Sequence, residues 1–245
     1  MLNSYLDKEI DKCVYRLFDD GYHMICVTDK NILSAYIPDE IDGIPVTSVG
    51  AESILEVKNP GFWECKKLRT VKLPSNLHVV GGFEQCESIK EIVIPNTCRK
   101  ITYSAFQYCM NLETIVLPME LEVIEGSVFN GCFKLKFLNI PDNVKILEEE
   151  CFAYSSFEYI KLPLKLKRLS NRMFMYCEDI KEIIFPLSLE KGEINRNIFF
   201  DDNTQEFKET FLKMMKSLKV VRVARQNEAE ARKLFEQYDV VVQVL

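Results

Sequence analysis

The sequence predicts an α/β repeat solenoid built from short parallel strands and capped at both ends. The first observation is a regular spacing of prolines, which are separated by 21, 23, 23, 22 and 23 residues: Pro74, Pro95, Pro118, Pro141, Pro163 and Pro186. A fixed period in this range is the signature of stacked structural repeats. The other two observations are apolar residues at constant offsets from each proline and a recurring phenylalanine–cysteine pair.

Each repeat carries a short strand directly before its proline. In the unit around Pro118, the apolar residues Ile115 and Leu117 flank an outward residue, which is the period-two pattern of a strand. The proline ends the strand because it lacks the N–H that a continuing ladder needs. One unit of this size cannot bury its apolar face alone, so the units must stack.

A phenylalanine follows each strand, and a cysteine or serine comes three residues later. These pairs are Phe106 and Cys109, Phe129 and Cys132, Phe152 and Ser155, and Phe174 and Cys177. The spacing fits one helical turn that faces the core. We expect stacked repeats to bring the phenylalanines into a continuous internal column.

The pattern C-x-x-L-x-x-I-x-L-P-x-x-L-x-x-I-x-x-x-x-F-x-x-C resembles the BspA-like, bacterial surface-antigen type of leucine-rich repeat. The resemblance covers residues 31–199, and residues 37–50 resemble the usual opening repeat. Departures are Ser155, a shortened unit at Phe83 and an insertion around residues 56–61. The resemblance implies a leucine-rich repeat array used for binding, and it names no ligand.

Three regions are predicted: an N-terminal cap at 1–31, the leucine-rich repeats at 32–200 and a C-terminal cap at 201–245. The N-terminal cap should contain a helix and a hairpin. Apolar residues at helical spacing predict the helix: Leu2, Leu6, Ile10 and Cys13 or Val14. Strands at 14–18 and 22–28, around the turn signal Asp19-Asp20-Gly21, predict the hairpin. Trp63 should pack beneath the insertion, and an exposed anchor is the alternative.

The repeat pattern decays after Pro186, and a helix–strand–helix–strand tail follows. The first helix, 204–218, carries an apolar stripe that should pack on the last repeat: Phe207, Phe211, Met214, Met215 and Leu218. A strand at 219–224, a helix at 227–238 and a strand at 240–245 complete the tail. This order resembles the closing cap of such arrays, and a small independent module is the alternative.

Composition argues for a soluble protein and against several partners. The formal net charge is −6, and the charges are interspersed, which disfavours nucleic acid. No apolar run reaches the roughly 18 residues of a membrane span, so no membrane insertion is expected. The first residues lack the apolar core of a signal peptide, which predicts a cytoplasmic location. A cell-surface or secreted protein whose signal has been removed is the alternative.

The nine cysteines follow the repeat rather than a disulfide framework. Five of them occupy one column: Cys65, Cys86, Cys109, Cys132 and Cys177. Stacked residues share one Cβ direction, which is poor disulfide geometry. We therefore expect free, buried thiols and a reducing or anaerobic environment.

Catalytic chemistry is not indicated. The two histidines, His23 and His78, have no ligand-spaced partners, and no C-x-x-C pair or phosphate-binding glycine loop occurs. The sequence therefore predicts a protein that is not an enzyme and has no catalytic residue, metal or cofactor. An enzyme with its site in the tail or the insertion is the remaining alternative.

The outward side of the repeat strands is the candidate site. Residues four and two before each proline should line a strip on the order of 25 Å long. An apolar and aromatic centre with a charged rim is typical of interfaces. The predicted partner-binding residues are Lys72, Glu91, Val93, Val116, Phe137, Asn139, Tyr159, Lys161 and Ile184. They predict a scaffold that binds a protein partner; an adhesin-like protein that binds host protein or glycan is the alternative. Exposed strands also favour such residues without any partner.

Overall fold

The computed structural model describes residues 7–50, 60–199 and 205–245, without the side chains of 205–210. The chain winds into a solenoid whose coils stack in one direction. Two parallel sheets and a column of turns form the sides of the coils, and the apolar core runs through the middle. The predicted solenoid of parallel strands is confirmed.

The solenoid begins with an antiparallel meander. Its strands are β1 (Lys8–Ile10), β2 (Cys13–Phe18) and β3 (Gly21–Val27). Asp11 and Lys12 join β1 to β2 with φ values of 48° and 66°, the left-handed conformation that tight hairpin turns require. The β2–β3 hairpin lies where the sequence predicts it.

The helix predicted through Ile10 and Cys13 is wrong in this part. Ile10 pairs with Cys13 across the β1–β2 turn, and alternate residues of β2, Cys13 and Tyr15, are buried. Three or four apolar residues fit both a helical and a strand period, and here pairing with β3 selects the strand. Leu2 and Leu6 lie outside the described residues.

The first sheet continues from the meander along the solenoid. From β3 onward the pairing along this path is parallel: β6 (Ile44–Val49), β8 (Val79–Val80), β10 (Lys100–Ile101), β12 (Val123–Ile124) and β13 (Ile146–Leu147). The short strand β5 (Glu40–Ile41) pairs antiparallel with β6. Five of these strands, β5, β8, β10, β12 and β13, have two residues, with the second one buried, and none of the five is predicted from the sequence.

The second sheet holds the strands that precede the prolines and the two strands of the tail, and its hydrogen bonds divide it into three ladders of two, two and four strands. Its members are β4 (Ser34–Tyr36), β7 (Thr70–Lys72), β9 (Glu91–Val93), β11 (Thr114–Val116), β14 (Tyr159–Lys161), β15 (Glu182–Ile184), β16 (Val220–Val223) and β17 (Val241–Val244). All observed pairings among them are parallel. In most repeat strands the central residue points into the core and its two neighbours point outward.

The predicted phenylalanine column is present. The rings of Phe106, Phe129 and Phe152 are stacked with centroids 6.0 and 6.3 Å apart. Further rings extend the column at both ends, at distances of 5.1 to 6.0 Å: Phe62, Phe83, Phe174 and Phe199. The backbone around each ring is a tight turn rather than the helical turn that the spacing predicts. Around Phe129, for example, Ser127 and Gly131 have φ values of 57° and 75°.

The C-terminal tail has the predicted order of elements. Helix α1 (Gln205–Ser217) precedes β16, and helix α2 (Glu228–Phe235) precedes β17. Because β16 pairs with the last repeat strand β15, the tail continues the second sheet. Met214 and Met215 are buried in the common core, and the ring of Phe211 lies 5.9 Å from that of Phe199. The three region boundaries stay a prediction.

The cysteine column is a ladder of hydrogen bonds rather than of disulfides. All nine described cysteines are free; eight are buried and Cys26 is half-buried, which supports the predicted free thiols. Each column thiol from Cys86 onward donates to the carbonyl of the phenylalanine one coil earlier, at 3.0–3.2 Å. Ser155 makes the same bond to Phe129 at 2.7 Å. Burial raises the pKa of the Cys109 thiol to about 12.

Candidate functional site

The outward residues of the second sheet form one face, which we call the strand-face strip. It consists of two rows of side chains; parallel pairing fixes their register from β4 to β7, from β9 to β11, and from Phe137 through β14 to β17. One row contains Tyr36, Lys72, Val93, Val116, Asn139, Lys161, Ile184, Arg222 and Gln243. The other contains Ser34, Thr70, Glu91, Thr114, Phe137, Tyr159, Glu182, Val220 and Val241. All nine residues predicted to bind a partner lie on this strip; eight are exposed and Ile184 is half-buried.

The centre of the strip is apolar and open to solvent. Phe137 is 66% exposed, and Val93 and Val116 are 64% and 50% exposed. Val93 and Val116 pair across neighbouring strands, and Phe137 forms a parallel bridge with Tyr159. Neighbouring apolar side chains with this exposure form a patch that the core of the single chain does not cover.

The strip is less continuous than the sequence predicts. Within the described chain, no strand hydrogen bonds join β7 to β9, or β11 to the coil of Phe137. A cleft of about 370 Å³ opens where β7 and β9 separate, and Thr70, Lys72, Glu91 and Val93 are among its lining residues. The interruption exposes main-chain groups beside the apolar centre.

One edge of the strip carries a ladder of alternating charges. Glu158 accepts hydrogen bonds from the ammonium groups of Lys181 at 2.6 Å and Lys136 at 3.1 Å, from the coils on either side. The bonds from Lys181 and then Lys136 hold the pKa of the Glu158 carboxyl below its usual value. On the strip itself, Arg222 contacts Glu182 at 2.6 Å. The charges of these pairs therefore neutralise one another rather than forming a field of one sign.

Two exposed apolar side chains of the strip, Tyr36 and Val241, are not predicted from the sequence. Tyr36 is 50% exposed, and the ammonium of Lys72 lies 4.9 Å from its ring centroid. Tyr36 lies two residues before Pro38, at the same offset that defines the outward residues before the other prolines. Val241 is 54% exposed, and no proline marks its position.

One of the two histidines and the tryptophan have close side-chain neighbours. His23 pairs with Asp20 at 2.8 Å and stacks on Phe18. Trp63 is half-buried, with the Lys30 ammonium 3.7 Å from its ring centroid; most of the insertion predicted to cover it lies outside the described residues. In the described ranges, no three histidine, cysteine or acidic side chains are grouped as metal ligands.

Over the part of the chain that the structure covers, no helix combines the length and the apolar character needed to cross a membrane.

Comparison with known proteins agrees with the architecture. A family model described as the BspA type leucine rich repeat region matches residues 45–155 and 81–206, in six copies. The search of curated proteins gives no significant match.

Two solved structures share the fold at low identity. The T. pallidum leucine rich repeat protein TpLRR is 17% identical with a TM-score of 0.58, and the match covers 98% of this chain and all of that one. A leucine rich cell surface protein from Faecalibacterium prausnitzii A2-165 is 16% identical with a TM-score of 0.51, covering 93% of this chain and 73% of that one.

Proposed function

The chain belongs to the BspA-type leucine-rich repeat family, and from that premise we propose that it is a non-enzymatic scaffold that binds a protein partner on the strand-face strip. The observation that carries the proposal is the exposure of Val93, Val116 and Phe137 at the centre of the strip. Aromatic and aliphatic side chains surrounded by polar groups are the usual anchors of protein interfaces. No cofactor enters the proposal.

The partner surface can be described from the strip. Its contact region is apolar opposite Val116 and Phe137, and it needs no high net charge, because Glu158 and Glu182 are already paired with neighbouring cations. A strongly basic or acidic polymer would gain little electrostatic binding free energy on such a surface. A protein with an apolar patch of its own is the occupant that fits.

The test uses a photo-reactive amino acid placed at Phe137 in the full chain. Irradiation in the native cells should give a discrete cross-linked species, which mass spectrometry identifies. The matched control places the same group at Ile146, which is 48% exposed on the opposite sheet. Identical cross-links from both positions, or none from Phe137, would contradict the assignment of the strip.

Once the partner is known, binding measurements on alanine variants identify the side chains that contribute most to the affinity. Phe137→Ala combined with Val116→Ala should weaken binding by about 2 kcal/mol or more, the loss that marks interface hot spots. Ile146→Ala should leave the affinity unchanged. Both variants remove exposed side chains and should change the free energy of unfolding by about 0.5 kcal/mol or less.

The second candidate is an adhesin-like protein at the cell surface that binds host protein or glycan. It is favoured by the description of the F. prausnitzii structure as a cell surface protein. Treating intact cells with a protease separates the two candidates. Loss of the protein from intact cells favours the surface location, and survival until lysis favours the cytoplasmic one.

A further inference from the structure

The last strand of the second sheet, β17, offers an open edge. It pairs with β16 on one side only, and no other described strand pairs with it. Val241 and Leu245 donate their N–H groups to Lys219 and Val223 on the β16 side. Because neighbouring residues of a strand turn their N–H and C=O groups to opposite sides, those of Val242 and Val244 point to the open edge.

The sequence of β17 lacks the features that normally protect an edge. Residues 240–245 are Val-Val-Val-Gln-Val-Leu, with no charge and no proline. The opposite terminus differs, since β1 has three residues, two of them charged, and a register shift lies in the neighbouring β2. Edge protection is therefore present at the N-terminal sheet and missing at β17.

We propose that β17 pairs antiparallel with β17 of a second copy of this chain, forming a two-fold dimer. The open groups fix the register: Val242 of each copy lies opposite Val244 of the other and exchanges main-chain hydrogen bonds with it. Gln243 then meets its own counterpart across the two-fold axis. This register pairs the N–H and C=O groups of both residues in each copy.

The side chains suit this register. On the strip side, Val241 of one copy lies opposite Leu245 of the other; the two are 54% and 52% exposed in the single chain. Antiparallel pairing buries each of these apolar groups against the other, and the two Gln243 amides can bond to each other at the axis. No like charges are brought together, because the strand carries none.

The geometry has a consequence for binding. A two-fold axis perpendicular to a sheet keeps the same face of both copies on one side, so the two strand-face strips lie on one common surface. A dimer thus presents two equivalent sites to a partner, and linked sites raise apparent affinity without new contacts. The dimer itself does not depend on the strip being a binding site.

Cross-linking tests the register directly. In the proposed dimer, Gln243→Cys places two cysteines in a non-hydrogen-bonded antiparallel pair, with Cα atoms about 4.5 Å apart, which a disulfide can span. Under mild oxidation this variant should convert to a covalent dimer that reductant reverses. Ala229→Cys, exposed on α2, and the unmodified chain are the controls. Cross-linking of Gln243→Cys no faster than Ala229→Cys overturns the proposal.

The oligomeric state in solution tests whether the open edge of β17 forms the dimer. Sedimentation of the 245-residue chain should show a monomer–dimer equilibrium, and Val244→Pro should raise the dissociation constant at least tenfold because it removes an N–H from the open edge in each copy. Val244→Ala keeps that N–H, so its dissociation constant should stay closer to that of the parent chain. Phe137→Ala should not alter the dissociation constant. Circular dichroism verifies that each variant is folded. A chain that stays monomeric at every concentration, or a dimer insensitive to Val244→Pro, overturns the proposal.

Discussion

The thiol of Cys132 donates a hydrogen bond to the main-chain carbonyl of Phe106, with the sulfur 3.2 Å from the oxygen. The two residues belong to successive coils, so the bond ties one coil to the next inside the core. Ser155 makes the equivalent bond to Phe129 with its hydroxyl. A hydrogen-bond donor of small volume is therefore what this column requires, and either cysteine or serine can supply it.

The Cys132 bond predicts an order of stabilities among substitutions. Cys132→Ala removes the donor and leaves a small void, and we expect it to lower the free energy of unfolding by about 1–2 kcal/mol. Cys132→Ser keeps the donor and should cost less. Denaturant unfolding of both variants measures the difference. Equal losses would mean that volume alone matters at this position.

The middle of the phenylalanine column is the most sensitive core position. Phe129 is fully buried between Phe106 and Phe152, so Phe129→Ala loses contacts with the coils on both sides. We expect a loss of about 3–5 kcal/mol, the usual cost of removing a buried aromatic ring. Phe129→Leu, which retains most of the volume, serves as the matched variant and should lose less. Chemical denaturation followed by tryptophan fluorescence and circular dichroism provides the measurement.

The buried thiols predict a loss of stability at alkaline pH. Burial raises the pKa of Cys109 and of Cys177 to about 12, whereas an exposed thiol titrates near 8.5. Between these values the unfolded chain has lost protons that the folded chain keeps, so the free energy of unfolding falls as pH rises. Below about pH 8.5 the contribution is fully present. The free energy of unfolding measured from pH 7 to 10, with reductant present, follows this decline.

Serine variants isolate the thiol contribution. Cys109→Ser combined with Cys177→Ser preserves the donors and removes two groups that titrate in this range. The stability of this variant should fall less steeply between pH 8.5 and 10 than that of the parent chain. Parallel curves for the two proteins would assign the alkaline loss to other groups.

Gly131 leaves room for a neighbouring ring. A Cβ built at Gly131 would lie 2.5 Å from Cδ1 of Tyr108, in the preceding coil. We expect Gly131→Ala to destabilise the fold by about 1–3 kcal/mol, through this clash together with its φ of 75°. In the Tyr108→Ala background the same substitution should cost less, because the ring is gone. A double-mutant cycle measures this coupling, and additive losses would argue against the clash.

The structural features that the sequence predicts best are those that recur at the same offset in several repeats. The position of Phe129 in a column could be read because Phe106, Phe152 and Phe174 stand at the same offset. The N-terminal cap has no such repetition, and the few apolar residues around Ile10 and Cys13 fit a helix as well as a strand. The two-residue strands such as Val123–Ile124 were also missed, because so short a segment has no detectable period.

In the candidate site, too, the residues at repeated offsets could be predicted and the features without repetition could not. Val93, Val116 and Phe137 could be placed on the strip because the offset from each proline fixes the side of the strand. The break between β7 and β9 could not, because it depends on how neighbouring coils separate rather than on any one repeat. Val241 joins the strip because the tail pairs with β15 through β16, a long-range contact without a local signal.

The hydrogen bonds of the cysteine column join successive coils along the axis of the solenoid. A tensile force applied along that axis therefore acts on all the coil junctions in series. Each junction is held by main-chain and side-chain hydrogen bonds and by the packed core, and no disulfide closes any of them. Pulled between its termini, the molecule should extend in successive steps, each releasing one coil or about 70–80 Å of chain. Such a chain acts as a spring with discrete extensions rather than as a rigid rod.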